Sequence, residues 1–396
     1  MSKLVIENGY LVTPEQERPT KLWIKDGNIL HIGDQLPTNL GQEAAFKSID
    51  ASGCYVTPGL IDLQMNGGPD CDFWQSLNQD TYGVAEVRAL RRELLCCGVT
   101  AFLPTLITAD VDHLVKNIAF LKSQGVCRKL PFGLEKNLKD EKDQPEQEPL
   151  SRMIGIHLEG PCLSPERPGV HPKEWIRPFT SETITPLLDS TVALFTAACE
   201  GDPDGKAIEL LKKNNIVVAL GHSNATFEEA NKAFEQGATM MTHTFNALPP
   251  LHHRKLGAVG AALLSKSTSC CLIADGLHLD KAACALIFAI KGTAKTILVT
   301  DRAAIGTSGG DLVGSSISLD QAVQNMVNWN ICSFAEAIKM ASLNPAKAIN
   351  MDHYLGSIEI GKAADLVIFD RATLKVEKVF VAGLQAKGSK LKPVTN

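Results

Sequence analysis

Short apolar segments alternate with helical patterns along the central part of the chain. Eight segments have the length and composition of buried strands: Gly59–Asn66, Val99–Thr105, Ile154–Leu158, Val192–Thr196, Ile216–Leu220, Thr239–Thr242, Cys271–Ala274 and Ile297–Thr300. Apolar residues recur at helical spacing in the segments Tyr82–Cys97, Pro203–Asn214, Thr226–Gln236, Asp280–Lys291 and Leu319–Asn328. This alternation predicts an α/β protein with a (β/α)8 barrel rather than an open doubly wound sheet.

The two ends of the chain have a different pattern. Residues 1–57 consist of short alternating runs that are interrupted by Asn8–Gly9 and Asp26–Gly27, and both dipeptides are typical of hairpin turns. Residues 356–396 have the same character. Because neither end has enough strands to stand alone, we expect one small β domain built from both termini, with the barrel over residues 58–355.

Composition narrows the class of protein. The 396 residues include 39 basic and 44 acidic side chains, a net charge of −5. The chain has no long basic block, which argues against a nucleic-acid partner. It also has no signal-peptide pattern and no apolar run near the roughly 18 residues of a membrane span. The 11 cysteines form no CxxC pair, so we expect reduced thiols and a cytoplasmic protein. The charged segment Lys129–Arg152 is predicted to be a solvated loop.

Polar side chains follow four of the predicted strands where each apolar run ends. They are Glu159 after the third strand, His222 after the fifth, His243 after the sixth and Asp301 after the eighth. Because the carboxyl ends of barrel strands converge on one face, we expect these side chains to lie together. Glu159, His222 and His243 match three protein ligands of a divalent metal, with a position left for water. Asp301 is then free to move protons, and the set predicts metal-assisted hydrolysis.

The first predicted strand carries polar residues on one face. Strand alternation places Asp62, Gln64 and Asn66 together at the barrel mouth. In one interpretation Gln64 lies near the metal, directly or through water. In the other, these residues form a polar rim that is held by hydrogen bonds, and the sequence leaves both open.

Loops at the same rim supply candidates for substrate binding. His253 and Arg254 follow the sixth strand, and a guanidinium fork suits a phosphate group. A charged surface loop is the alternative. Asp275 and His278 follow the seventh strand and are candidate substrate contacts, whereas His171 lies in a segment that a simple turn would also explain.

Several motifs resemble those of the N-acetylglucosamine-6-phosphate deacetylase family, within the amidohydrolase superfamily. They follow one another from about Gly59 to Asp370: DLQMNGG, HLEGPCLSPERPGVHP, GHSNAT, THTFNALPPLHHR, IADGLHLD, LVTD and GKAADLVIFD. The resemblance implies a metal-bearing (β/α)8 barrel and a small β-sandwich from both termini. It also implies hydrolysis of the acetamide of N-acetylglucosamine 6-phosphate to glucosamine 6-phosphate and acetate.

The resemblance also implies roles for residues. The metal ligands are Glu159, His222 and His243, and Asp301 is the catalytic acid and base. Asp62 and Gln64 stand where many amidohydrolases have an HxH pair, so the resemblance implies one divalent ion per subunit, Zn²⁺ in our interpretation. Family members whose phosphate site borrows a residue from a neighbouring subunit are dimers, so the resemblance also implies a homodimer. The sugar- and phosphate-contacting positions are Val170, His171, Asn246, Ala247, His253 or Arg254, and His278.

Two features depart from the family pattern. Arg302 follows Asp301 where the family usually has a small residue, and a guanidinium turned inward would lower the pKa of Asp301. The segment Arg302–Val313, before the GSS motif at Gly314–Ser316, is shorter than the family's. Two alternatives therefore stay open. One is an amidohydrolase that acts on another N-acyl or cyclic amide, and the other is a weakly active sugar-phosphate-binding protein with a shortened lid.

Overall fold

A computed structural model describes residues 3–14, 17–42, 45–73, 83–128, 148–304, 307–308 and 311–386. Its strands are β1 (Lys3–Glu7), β2 (Tyr10–Val12), β3 (Glu17–Pro19), β4 (Leu22–Lys25), β5 (Asn28–Ile32), β6 (Lys47–Asp50), β7 (Cys54–Pro58), β8 (Leu60–Met65), β9 (Gly67–Gly68), β10 (Cys71–Asp72), β11 (Val99–Ile107), β12 (Arg152–Met153), β13 (Ile156–Glu159), β14 (Val192–Ala197), β15 (Val217–Leu220), β16 (Met240–Met241), β17 (Ser269–Leu272), β18 (Thr296–Leu298), β19 (Thr307–Ser308), β20 (Asp311–Leu312), β21 (Leu366–Asp370), β22 (Val376–Val381) and β23 (Leu384–Gln385).

The helices are α1 (Val84–Cys96), α2 (Val111–Ser123), α3 (Ser181–Ile184), α4 (Lys206–Lys213), α5 (Phe227–Gln236), α6 (Gly257–Leu264), α7 (Lys281–Lys291), α8 (Leu319–Asn328), α9 (Phe334–Ala341) and α10 (Leu343–Ala348). Short 3-10 turns span Thr38–Leu40, Lys173–Trp175, Thr185–Leu187, Cys199–Gly201 and Thr293–Lys295. Within the described residues, no helix is long and apolar enough to cross a membrane.

The predicted (β/α)8 barrel is confirmed. Its strands pair in parallel in the order β8, β11, β13, β14, β15, β16, β17 and β18, and β12 adds a short edge to β11. The seam between β18 and β8 closes just beyond β18, where the Asp301 N–H donates to the Gln64 carbonyl at 2.9 Å. A bridge between Met65 and Arg302 extends this seam. The residues after β18 therefore belong to the barrel wall.

Helix starts follow their capping residues. Thr226 caps α5 and forms a capping box with Glu229, and Asp280 caps α7 by accepting the N–H of Ala282. The helix α4 begins three residues later than the predicted Pro203, because Gly205 precedes it in a left-handed conformation with φ of 72°. The predicted start of the first helix, Tyr82, lies outside the described residues.

Two β-sheets accompany the barrel, one from the N-terminal segment alone and one from both termini, which confirms the small β domain. One sheet has the order β5-β4-β1-β6, and the other has the order β23-β22-β21-β7-β2-β3. Aliphatic side chains such as Ile6, Leu11, Val56 and Leu366 form a core cluster separate from that of the barrel. The exact domain limits stay a prediction.

One of the two predicted hairpins is wrong. The Asp26–Gly27 turn connects the antiparallel strands β4 and β5 as expected. Asn8–Gly9 instead leads the chain from β1 in one sheet to β2 in the other. A Cβ at Gly9 would lie 2.7 Å from the side chain of Val56, so the glycine permits the close crossing between the sheets.

The predicted loop over residues 129–152 is wrong at its end. Residues 129–147 lie outside the described part of the chain, but Arg152 begins strand β12. Its guanidinium donates to both carboxylate oxygens of Asp365, at 2.9 and 3.1 Å. Asp365 directly precedes β21, so this half-buried pair joins the barrel to the terminal sheets.

Candidate active site

The four predicted strand-end residues meet at one rim of the barrel. Glu159 is the last residue of β13, and the other three follow β15, β16 and β18 by two or three residues. His222, His243 and Asp301 all have positive φ, at 49°, 24° and 52°. Non-glycine residues pay a steric cost in this region. The chain therefore leaves each of these strands in a strained turn, and strain of this kind clusters at functional sites.

Glu159, His222 and His243 present their ligand atoms to one point. Glu159 Oε1 lies 2.9 Å from His243 Nε2 and 3.4 Å from His222 Nε2. The two imidazole nitrogens are 3.1 Å apart. Donor atoms that share a tetrahedral zinc ion at about 2.0–2.1 Å lie roughly 3.3 Å apart. All three side chains are buried, so their geometry and chemistry fit a single divalent ion.

The surroundings of His222 direct its Nε2 toward this point. Its Nδ1–H donates to the carbonyl oxygen of Arg167 at 3.0 Å, which leaves Nε2 as the coordinating atom. Arg167 belongs to the irregular segment after β13. In the same segment, Gly169 packs against the imidazole, and a Cβ there would lie 3.1 Å from Cε1. A backbone contact therefore sets both the tautomer and the orientation of this ring.

Electrostatics favour a bound cation at the cluster. Burial alone would raise the pKa of Glu159, but hydrogen bonds from His222 and His243 outweigh it and hold the pKa well below its usual range. Burial likewise works against the protonated form of His243, yet the bond to Glu159 raises its pKa to about 9. Glu159 is therefore ionised and His243 is protonated beside it. A divalent metal ion could replace the proton of His243 and bind both side chains.

Asp301 lies beside this cluster and is held by two side-chain amides. Gln64 Nε2 and Asn66 Nδ2 donate to Asp301 Oδ1 at 3.0 and 2.7 Å. The same Gln64 nitrogen donates to Glu159 Oε1 at 2.9 Å. Burial, followed by the charge of Glu159, raises the pKa of Asp301 to about 6. A carboxyl group with a pKa near neutrality can both accept and return a proton.

The first-strand pair inferred from the family pattern is wrong by two residues. Asp62 lies deeper in the barrel and accepts from the hydroxyl of Thr300 at 2.6 Å. Gln64 and Asn66 are instead the residues that face the cluster. Both interpretations of Gln64 fit this geometry, because its side chain lies next to Glu159 and is also held by hydrogen bonds. The sequence indicates Asn66 only as part of the polar face.

His171 faces the same cluster as a neutral donor. Its Nδ1 accepts from the N–H of Thr108 at 3.2 Å, so the ring proton lies on Nε2. Nε2 is 3.9 Å from Glu159 Oε2. Burial, then the neighbouring His222, lowers the pKa of His171 to about 3. His171 is therefore neutral at physiological pH, with its single ring proton on Nε2.

A cavity of about 200 Å³ opens over these groups. It is lined by all four strand-end residues and by predicted substrate-contacting residues: Val170, His171, Asn246, Ala247 and His278. The lining residues without a signal in the sequence are apolar: Ile107, Ala303 and Val313. Asp275 does not line this cavity but accepts from His278 Nδ1 at 2.7 Å, so it orients a residue that does.

The predicted phosphate residues stand apart from this cavity. His253 and Arg254 are exposed, and neither lines the cavity of their own chain. They occupy a tight turn that is closed by a bridge between His252 and Lys255. Within one chain, the structure does not bring these side chains together with the metal ligands.

The expectation for an inward-turned Arg302 is not met. Its guanidinium forms an ion pair with Glu93 on α1. The pKa of Asp301 is raised rather than lowered, by burial first. The side chain of Arg302 is therefore directed out of the barrel, although its backbone lies next to the catalytic candidate.

Comparison with known proteins shows the family of this chain. Residues 55–386 match the model of the amidohydrolase family. The chain belongs to the amidohydrolase family. This amidohydrolase is 32% identical over 400 residues to N-acetylglucosamine-6-phosphate deacetylase of Danio rerio, and the match covers 92% of each chain. It is 31% identical to the Bacillus subtilis (strain 168) enzyme of that name, over 92% of this chain and 89% of that enzyme.

Solved structures give the same result for this amidohydrolase. The crystal structure of N-acetylglucosamine-6-phosphate deacetylase from Pasteurella multocida has a TM-score of 0.83 and 30% identity. The superposition covers 98% of this chain and 100% of that one. The family resemblance inferred from the sequence motifs is confirmed.

Proposed function

We propose that this amidohydrolase removes the acetyl group of N-acetyl-D-glucosamine 6-phosphate, giving D-glucosamine 6-phosphate and acetate. The observation that carries the proposal is the convergence of Glu159, His222 and His243 on one point with Asp301 beside them. Metal hydrolases use such a ligand set with a nearby general base. The names of the similar enzymes in Danio rerio, Bacillus subtilis and Pasteurella multocida supply the substrate class.

Glu159, His222 and His243 would hold one divalent ion per subunit, and Zn²⁺ suits two imidazoles and a carboxylate. Such an ion supplies Lewis-acid chemistry, polarising the amide carbonyl and activating water. Asp301 accepts a proton from the attacking water and returns it to the departing amine. Gln64 and Asn66 keep Asp301 Oδ1 in place during both transfers. The Nε2–H of His171 donates to the carbonyl oxygen as it becomes negative.

The remaining lining residues would bind the sugar. The cavity is bordered by four further residues from the loops that follow the strands: Val170, Asn246, Ala247 and His278. Ile107, Ala303 and Val313 contribute apolar surface. Remote contacts of this kind convert substrate binding energy into correct placement of the acetamide.

We further propose a homodimer in which Arg254, with His253, contacts the phosphate bound to the partner subunit. The exposure of both side chains outside the cavity of their own chain supports this arrangement. Two leucines on the rim loops are also exposed, Leu251 by 39% and Leu277 by 73%. An interface at this rim would cover them. A cytoplasmic location is part of the proposal, and it is supported by the 11 cysteines, all within the described residues, which are thiols rather than disulfides.

The test is acetate release by purified, metal-analysed protein with N-acetylglucosamine 6-phosphate and with N-acetylglucosamine. We expect release that depends on metal and that strongly favours the phosphorylated sugar. Equal efficiency on both sugars would favour an amidohydrolase for another N-acyl or cyclic amide. Tight binding of the phosphorylated sugar without release would indicate a sugar-phosphate-binding protein with a shortened lid. Full activity after thorough chelation would rule out the metal mechanism.

A further inference from the structure

The backbone of Arg302 closes the barrel next to Asp301. Its carbonyl oxygen accepts the N–H groups of Asn66 at 2.8 Å and Gly67 at 3.1 Å. Its own N–H donates to Thr300 Oγ1 at 3.1 Å. The residue that follows Asp301 is therefore bonded to the end of the first barrel strand, which also carries the amide of Asn66 that holds Asp301 Oδ1.

The side chain of Arg302 leaves this seam and reaches helix α1. It passes Gly68, where a Cβ would lie 3.5 Å from Arg302 Nη2 and 3.0 Å from Leu90. Arg302 Nη2 then forms an ion pair with Glu93 Oε1. The Arg302 side chain is only 9% exposed and that of Glu93 is 30% exposed. Removing the carboxylate of Glu93 would leave the buried charge of Arg302 without its partner, so the pair constrains the backbone on both sides.

We propose that the Arg302–Glu93 ion pair is a positioning device for Asp301, and this inference rests on the proposed role of Asp301 in proton transfer. Asp301 has a φ of 52°, a conformation that persists only where the surroundings enforce it. Three anchors enforce it: the bond of its N–H to Gln64, the bond of its carbonyl to the N–H of Ser315 at 2.8 Å, and the fixed position of residue 302.

The same anchor supports one wall of the cavity. Ala303, the next residue along, lines the cavity and donates its N–H to the carbonyl of Ser315 at 3.1 Å. Val313 and Gly314 line the cavity from the returning chain. Neither Arg302 nor Glu93 lines the cavity, so in this proposal the ion pair acts through Asp301.

The test removes the charge of Glu93 without changing its size. In Glu93→Gln, kcat should fall by roughly 10-fold or more, because small misplacements of a reacting group are costly. KM and metal content should stay at parental values. Arg302→Gln should have a similar effect, and the double variant should be no worse than the more impaired single variant. Glu93→Asp retains the charge and should lie nearer to the parent.

The matched control is Arg92→Gln on the same helix. Arg92 pairs with Glu148 at 2.9 Å and has an exposed side chain, so the variant breaks an ion pair that does not reach the seam. Its kcat should equal that of the parent. If Glu93→Gln shows parental kcat, or if its loss adds independently to that of Arg302→Gln, the positioning role is overturned.

A second measurement separates this inference from the proposed function. Amide hydrogen exchange over residues 299–304 should be faster in Glu93→Gln than in the parent and in Arg92→Gln, and this result requires no turnover. Unchanged exchange in this segment would reject the anchor even if stability falls. A parent without acetate release, or an Asp301→Asn variant as active as the parent, would instead reject the proposed function. The Glu93 side chain is more exposed than that of Arg302, so Glu93→Gln should fold and test the proposal even if Arg302→Gln does not fold.

Discussion

At the scale of single residues, the carboxylate of Asp301 is distinguished from that of Glu159 by its partners. Two amides bond to Oδ1 of Asp301, which leaves Oδ2 for a water molecule. Glu159 shares the Gln64 amide but also contacts two imidazoles, which Asp301 does not. Burial and the nearby Glu159 raise the pKa of Asp301 to about 6, whereas the histidines lower the pKa of Glu159 despite its burial. Adjacent carboxylates whose pKa values are moved apart mark an assignment of roles.

The substitution Asp301→Asn tests this assignment. The side-chain oxygen of asparagine can still accept from Gln64 and Asn66, but the amide cannot accept the proton of water. We expect kcat to fall by about 10²–10⁴-fold, with metal content unchanged, because Asp301 is not one of the proposed ligands. Acetate release and metal analysis on the same preparation provide the measurement. Turnover within a few-fold of the parent would show that another group carries the proton.

Asp62 gives a prediction for stability against pH. It is fully buried, and burial raises its pKa to about 7 in the folded protein, above the roughly 3.9 of an unfolded aspartate. Between these pH values the folded state binds the extra proton, so the free energy of unfolding contributed by this group falls as pH rises. The loss continues up to about pH 7 and is on the order of a few kcal/mol.

In Asp62→Asn this contribution to the pH dependence should disappear. The amide oxygen can keep the N–H bonds from Gln64 and Thr300, and the amide nitrogen can donate to the Thr300 hydroxyl, which turns toward the Gln64 carbonyl at 3.3 Å. Urea unfolding of the metal-free protein at about pH 5 and about pH 8 measures the difference. Parallel losses of stability in parent and variant would show that Asp62 does not titrate in this range.

At the scale of elements, the first barrel strand decides how many ions the site can hold. Strand β8 and the residue after it direct two amides, Gln64 and Asn66, toward the cluster. Amide nitrogens that donate hydrogen bonds are poor substitutes for imidazoles at a second cation position. We therefore expect about one divalent ion per chain, measured by elemental analysis of protein purified with excess metal.

The variant His222→Ala is the control for that measurement. It removes one of three ligands, so metal content and acetate release should fall together. Two ions per parental chain would contradict the single-ion site. Loss of activity in His222→Ala with full metal content would show that the histidine acts in another way.

The sequence predicted elements and site residues with different success, for physical reasons. The ends of the barrel strands could be predicted because buried strands consist of continuous apolar residues. Polar residues such as His222 and His243 mark where these apolar runs stop. The pairing partner of the strand after a turn could not be predicted. Asn8–Gly9 indicates a tight turn, but it does not indicate which sheet the next strand joins. The direction of Arg302 depends on Glu93, which is 209 positions away along the chain. Apolar lining residues such as Ile107 resemble ordinary core residues.

At the scale of the whole molecule, the barrel is joined to the terminal sheets by an ion pair between the start of β12 and the residue before β21. The pair is Arg152–Asp365, and Asp365 also accepts the N–H of Ala382 at 2.7 Å. The site lies instead at the carboxyl ends of the barrel strands, where Arg254 is exposed on a loop after β16. Arg254 is therefore exposed at this rim, as the proposed contact with a second subunit requires.

Arg254→Ala tests the phosphate contact. Hydrogen bonds to a charged group contribute about 1.5–3 kcal/mol, so kcat/KM for N-acetylglucosamine 6-phosphate should fall by roughly 10- to 100-fold. Activity on unphosphorylated N-acetylglucosamine and metal content should not change. The neighbouring exposed cation provides the matched control, because Lys255→Ala removes the same charge from the same turn. Equal losses in both variants would indicate general attraction of the anion rather than a specific contact.

Mixing two impaired variants tests whether Arg254 contacts the phosphate bound to the partner subunit. In a mixed dimer of Arg254→Ala and Asp301→Asn chains, one of the two sites would combine an intact Asp301 with an intact Arg254 from the other chain. Co-expressed or co-refolded mixtures should therefore have a higher kcat/KM for N-acetylglucosamine 6-phosphate than either variant alone, and light scattering should give the mass of a dimer. A monomer in solution, or a mixture no more active than its components, would place Arg254 in the site of its own chain or outside the reaction altogether. If Arg254 serves the site of its own chain, its exposed loop must fold over the cavity when substrate binds, because Arg254 does not line the cavity in this structure.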